Sequence, residues 1–358
     1  MLIVSPKWIY LNNTRLEIDK SILIDGPIIK EILKNETIEK KYKGISRIEY
    51  PNHVLMPTFT ESYLNSNNCL NKIEVETKMK SLLKNGVTRL CIHGKNYKDM
   101  MSIDIRQLDI VHIIELDGKT VQQTDIKDMT DVLDFYKSDL RKQFCISLNN
   151  IIDFDRDIII KLSSILNEID INLHIKGGCL QNIADKKRIN DLITFWSEIN
   201  LFNNSYLHGA LSLNDYWKTN IKKSNVTAVV SYMELSTIDN IMKFLHLLEK
   251  KTKCVLITKT LNSYDLYQII KIIEKLDINQ NNIFDKNKII NCVTENTSNL
   301  FSNFISSGSI KRGNKASFNL FDISSNQLLK NKNCNPKLSV LDKQSLTHVW
   351  SAGEQYKM

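Results

Sequence analysis

The sequence predicts an α/β protein: a (β/α)8 barrel of the TIM type, with a small β-sandwich domain formed by the N- and C-terminal segments. Three observations carry that prediction. From residue 53 onward, eight short apolar runs alternate with longer amphipathic stretches. That alternation occupies about 250 residues, the size of a closed barrel of this kind. No Gly-rich phosphate loop follows any early run, which argues against an open, doubly wound sheet.

Residues 1–52 read as short strands at 1–4, 8–10, 21–24 and 28–32, divided by turn signals at Asn12-Asn13 and Asp25-Gly26-Pro27. Asp25-Gly26 between two apolar runs is a hairpin signal. Residues 37–42 fit one helical turn, and 48–50 a further strand. Such a unit needs a partner to bury its faces. The segment after Gly308 offers one, with β-like stretches at 309–310, 316–321, 338–341 and 348–351. The predicted domains are therefore 1–52 plus 308–358, and 53–307.

The barrel strands are expected at 54–59, 87–92, 110–116, 144–148, 171–175, 205–208, 226–230 and 254–258. The first helix, 74–83, has Val75, Met79, Leu82 and Leu83 at helical spacing, with Gly86 as a C-terminal stop. Further helices fit 127–140, 157–169, 185–199, 214–223 and 238–250, then 264–276 and 286–304. Residues 96–107 show little periodicity. The first run ends at Pro57 in a polar tail that reads as leaving the core. In extended chain its Tyr63 and Asn65 point to the same side.

Composition excludes several function classes. The chain is 42% hydrophobic and 25% charged, ordinary for a soluble globular protein. No apolar run approaches the roughly 18 residues of a membrane span. The first residues lack the basic start and cleavage site of a signal peptide, so the expected location is cytoplasmic, without a membrane partner. Seven scattered Cys without a CxxC pair argue against a disulfide framework or a structural zinc site. The net charge of +8 comes from dispersed lysines with no aromatic-interleaved basic stripe, so no nucleic-acid partner is expected.

In a β/α barrel the working residues sit at the C-terminal ends of the strands. Tyr63 and Asn65 hold that position on the first strand, and neither is a strong metal ligand or general base. His174 stands on the fifth strand, ahead of Lys176, Gly177 and Gly178. His208 ends the sixth, and Thr258, Lys259 and Thr260 follow the eighth. Two histidines on adjacent strand ends can share a metal or serve as acid and base. A hydrogen-bonded pair lining a polar barrel mouth explains the same spacing. Glu115 and Asp117 fit either a relocated carboxylate pair or a solvated loop and cap. Lys259 could balance an anionic ligand. His53, His93, His112, His246 and His348 read as structural or surface residues.

Several segments, in order, resemble one family. Residues 22–32 are similar to a "VxxxDGxIxxI" opening, 54–65 to "VLxPGFVNAHTH", and 82–88 to "LLxxGVT". Near the end, 308–317 resemble "GSIxxGKxAD" and 348–353 "HVWVAG". These are segments of the amidohydrolase superfamily, in its deaminase and chlorohydrolase-like branch acting on aminated purines and related N-heterocycles. The resemblance spans almost the whole chain.

The resemblance implies a metal-dependent hydrolase whose site residues are mostly replaced. The family's two strand-1 metal histidines fall on Tyr63 and Asn65. Its strand-5 metal histidine falls on His174 and its strand-6 histidine on His208, and both are kept. The proton-shuttling glutamate falls on Gly177, and the strand-8 aspartate on Thr260. The loop after strand 1 is also short. A catalytic zinc site needs three protein ligands, and its water needs a group to activate it. The expectation is a catalytically silent homologue without a cofactor, keeping a small-molecule pocket at the barrel mouth, a partner contact or a homodimer surface. The alternative is an active hydrolase with a remodelled zinc or iron site using His174, His208 and an acid such as Glu115, Asp117 or Glu234.

Overall fold

The computed structural model describes residues 1–11, 15–65, 72–95, 103, 105–119, 142–169, 171–177, 186–202, 205–213, 225–250, 252–258, 267, 286–297, 306–324 and 344–358. The N-terminal strands are β1 (Leu2–Leu11), β2 (Arg15–Ile18), β3 (Lys20–Asp25), β4 (Ile28–Lys34) and β5 (Arg47–Pro57). The barrel strands are β6 (Phe59–Asn65), β7 (Val87–Gly94), β8 (Asp109–Asp117), β9 (Lys142–Asn149), β10 (Leu173–Lys176), β11 (Ser205–His208), β12 (Thr227–Ser231) and β13 (Cys254–Ile257). The C-terminal strands are β14 (Phe318–Asp322), β15 (Leu346–Ser351) and β16 (Glu354–Lys357). The described helices are α1 (Asn35–Lys41), α2 (Lys72–Lys84), α3 (Arg156–Ile169), α4 (Lys186–Glu198), α5 (Ile238–Glu249) and α6 (Lys286–Val293).

Strands β6 to β13 pair side by side in chain order, each neighbour parallel to the next. This is the eight-stranded TIM-type barrel that the alternation of runs predicts. Side chains on its inner face alternate with those on its outer face. Cys91, Val111, Ile113, Cys145, Tyr206, Val229, Val255 and Ile257 fill the interior. The strands' other faces join the helices in larger apolar clusters. The buried thiols act as small hydrophobes, and burial pushes Cys145 and Cys254 up to about 12.

The strands of the two chain ends form one hydrogen-bonded sheet in the order β16-β15-β14-β5-β1-β3-β4, with β2 on β1. Both faces of its central strand β1 are buried. Trp8, Tyr10, Val54 and Met56 join the cluster shared with the barrel, whereas Ile9, Leu11, Leu55, Phe318, Leu320 and Trp350 form a separate core. Two polar contacts fasten the sheet and its flanking segment to the barrel: Lys315 Nζ lies 2.5 Å from Asp109 Oδ1, and Asn319 Nδ2 donates to the Gly86 carbonyl at 3.0 Å. Within the barrel, Arg89 Nη2 donates to the Thr294 carbonyl at 3.0 Å. Gly86 has φ +84°, and a Cβ there would meet Asn319 Nδ2 at 2.5 Å, so both the turn and the close approach require glycine.

Two details depart from the sequence expectation. Residues 54–57 belong to β5 in the terminal sheet, and the first barrel strand begins only at Phe59. The apolar run expected to be one barrel strand is thus the end of one strand and the start of another, divided at Thr58. Moreover, the polar residues after Pro57 do not leave the core: Thr58, Thr60, Glu61 and Ser62 are all buried. Alternation places them on both faces of a fully enclosed strand, where burying a polar group is costly unless it is hydrogen-bonded, as the Thr58 hydroxyl and the Glu61 carboxylate are. The Thr88 hydroxyl, for example, donates to Thr58 Oγ1 at 2.6 Å.

The segments expected to be helical at 127–140 and 214–223, and the strand at 338–341, lie outside the described residues, as do Tyr264–Leu276 apart from Tyr267. Among the described residues, no helix is long and apolar enough to cross a membrane.

Candidate functional site at the barrel mouth

Strand β7 runs to Gly94, two residues beyond the sequence expectation, and this extension turns His93 onto the same face as Arg89 and Cys91. Strands β10 and β11 deliver His174 and His208 side by side, with Lys176 opposite His208 in the ladder. One ring nitrogen from each of His93, His174 and His208 lies within 4.8 Å of the others, and all three residues are buried. His93, expected to be structural or superficial, is therefore the third member of the cluster. The only signal in the sequence was its alternation with Arg89 and Cys91.

Each imidazole is oriented by neighbours. His174 Nδ1 and His208 Nε2 are hydrogen-bonded at 2.8 Å, while His174 Nε2 is buried without a hydrogen-bond partner. The Tyr206 ring stacks on His174 at 5.1 Å between centroids. His93 Nε2 lies 3.3 Å from the Ser62 carbonyl, and its Nδ1 lies 3.5 Å from Glu115 Oε1. Burial depresses the pKa of His93 and carries that of His174 well below the ordinary imidazole value, with the charges of His93 and Lys176 adding to the latter. Both rings are held neutral near pH 7, the form in which imidazole binds metals.

Glu115 and Lys176 form an ion pair at 2.5 Å beside this cluster. Burial alone would raise the Glu115 pKa. Hydrogen bonds from His93 and Lys176 and the lysine charge outweigh it and hold the carboxyl at about 2. Tyr63 packs its ring 4.3 Å from that of His93, and Lys176 Nζ lies 5.8 Å above the same tyrosine ring. Burial and the Glu115 charge push the Tyr63 hydroxyl up to about 12, against a hydrogen bond from Asn65. Tyr63 is thus an aromatic packed on His93, with Asn65 as its hydrogen-bonding neighbour.

Gly177 ends the β10 segment, and its backbone presses on the neighbouring strand: a Cβ there would lie 2.7 Å from the His208 carbonyl oxygen. Lys259 and Thr260 lie outside the described residues. Of the other acids weighed from the sequence, Glu234 accepts the Ser231 backbone N–H in a capping box, and Asp117 Oδ1 accepts the Lys119 N–H at 3.1 Å. Both hold local turns. His112 stacks on Phe144, and His53 and His348 pack around Tyr50 in the terminal sheet, as structural histidines do.

Glu61 was not anticipated. Its carboxylate is fully buried at the seam between the first and last barrel strands. Oε2 accepts the Thr258 N–H at 3.1 Å and its hydroxyl at 2.6 Å, while Oε1 accepts the Tyr63 N–H at 2.9 Å. Among the described residues β6 and β13 form no ladder with each other, so this side chain links the two edge strands. Burial raises its pKa to about 7, although all three hydrogen bonds favour the ionised form.

No protein-family model matches the sequence, and no curated protein matches it. An adenosine deaminase from Xanthomonas campestris, with bound zinc, aligns with TM-score 0.77 over 99% of this chain and 92% of its own, at 12% identity. The guanine deaminase from C. acetobutylicum, with bound guanine, aligns with TM-score 0.75 over 99% of both chains, at 14% identity. An atrazine chlorohydrolase from Arthrobacter aurescens TC1, complexed with zinc, aligns with TM-score 0.75 over 99% of this chain and 95% of its own, at 10% identity. Such neighbours are deaminases and hydrolases of the amidohydrolase superfamily, and this chain, barrel and terminal sheet together, has their fold.

Proposed function

We propose that this chain is a member of the amidohydrolase superfamily, of its deaminase and chlorohydrolase-like branch, in which hydrolysis of C–N bonds has been lost while the barrel mouth is kept as a small-molecule site. Gly177 carries this reading. It holds the position where the resembling enzymes place their proton-shuttling glutamate, and a side chain there would run into the His208 carbonyl oxygen at 2.7 Å. That obstacle is backbone, which yields only if β11 moves. Tyr63 supports the reading, since its ring packs on His93 where the family has a metal-binding imidazole. Without a placed acid or base, water activation and leaving-group protonation are both lost.

The convergence of His93, His174 and His208 favours a second reading, an active hydrolase with a remodelled site that takes Glu115 as its carboxylate. A general acid or base works best with a pKa near the operating pH. Glu115, held at about 2 by His93 and Lys176, is far from that, so this reading ranks second.

The deciding experiment incubates the purified chain with adenosine, guanine and atrazine, with and without added zinc, and follows ammonia or chloride release. No turnover above buffer is the expected result. Metal-stimulated turnover of any of the three that disappears in Glu115→Gln would overturn the proposal in favour of the second reading.

A further inference from the structure

We infer that His93, His174 and His208 form a site for one divalent transition-metal ion of the zinc or cobalt type, built on a different set of strands from the ligands the sequence resemblance implies. Two of the three positions coincide with family histidines, but His93 comes from β7, across the mouth from β10 and β11. It replaces the contribution that strand 1 gives up at Tyr63 and Asn65.

The donor chemistry selects the ion class. Three imidazoles without a thiolate suit zinc, cobalt, nickel or copper rather than magnesium or calcium. Their nitrogens already lie within 4.8 Å of one another, so the trio can close on an ion by small side-chain rotations. His174 Nε2 supplies an independent observation, as a buried ring nitrogen with no hydrogen-bond partner. A polar atom in that condition is costly unless something is bound to it. Neutral His93 can donate one ring N–H to an acceptor that fixes the ring, the Ser62 carbonyl at Nε2 or the Glu115 carboxylate at Nδ1, and present its other nitrogen to the ion. Lys176 neutralises that carboxylate.

Binding here requires no hydrolysis, so the inference stands or falls separately from the loss of activity. Three protein nitrogens leave a tetrahedral ion one position for an exogenous donor.

The test is cobalt titration of the chelator-treated full chain, followed by visible absorption and by the rise in melting temperature. One equivalent of Co2+ should give the intense bands of a tetrahedral nitrogen-rich site. His93→Ala should weaken binding at least about tenfold, a loss of about 1.4 kcal/mol, whereas His348→Ala in the terminal sheet should leave it unchanged. If His93→Ala does not fold, His93→Gln, which keeps a polar group toward Ser62, carries the same comparison. Absence of stoichiometric binding overturns the inference, as does binding that survives substitution of His93. Neither readout involves turnover, so a metal-binding but inactive protein supports both proposals, and a metal-free inactive one defeats only this one.

Discussion

Replacing Glu61 with Gln should alter the pH dependence of stability. The carboxyl is buried at the barrel seam, and burial lifts its pKa to about 7 against three hydrogen bonds. In the unfolded chain it ionises near 4.5. Because the folded value is the higher one, the folded protein holds a proton that the unfolded chain releases. This contribution to stability is complete below about 4.5 and is lost as pH rises through about 7. With about 1.36 kcal/mol per pKa unit, the loss between about pH 5 and about pH 8 is about 2.5 kcal/mol. Gln has no proton to release. Urea unfolding of both proteins across that window should show the wild type losing about 2.5 kcal/mol relative to the variant. Histidines titrating in the same range are common to both proteins and cancel. Parallel curves would refute the assignment of Glu61 as a buried, largely protonated link between β6 and β13.

Two further outcomes follow from close contacts. Gly177→Ala places a Cβ 2.7 Å from the His208 carbonyl oxygen, and thermal unfolding should report a destabilisation of about 1–3 kcal/mol; an unchanged melting temperature would mean that β10 and β11 can separate freely. Lys315→Ala strips the mostly buried Asp109 of its lysine and should cost about 3 kcal/mol, whereas the double variant Asp109→Asn/Lys315→Met should recover part of that loss because the carboxylate is then no longer buried without that lysine.

The barrel was legible because its period is a property of the chain. Each buried strand needs a short apolar run and each covering helix an amphipathic one; seven of the eight runs coincide with β7 to β13 apart from their ends, and the first meets β6 only at Phe59. The terminal sheet was legible for the same reason, since two apolar β units at opposite ends must bury their faces together. His174 and His208 were found because they end strands that lie next to each other in sequence order. The ends of runs were less legible. Residues 54–65 read as one strand with a polar tail, because nothing local marks Thr58 as the point where the chain passes from sheet to barrel. Thr58, Thr60, Glu61 and Ser62 look solvent-facing by residue type, and only enclosure by β7 and β13 makes them core.

By itself the sequence determined the class of fold and the order of its strands. Those are consequences of periodicity and position along the chain. The tertiary structure alone decided that His93 faces His174 and His208, that Glu115 is held ionised by His93 and Lys176, and that Glu61 ties the first strand to the last. These contacts join residues from strands far apart in the chain, and closure of the barrel sets which side chains meet across it.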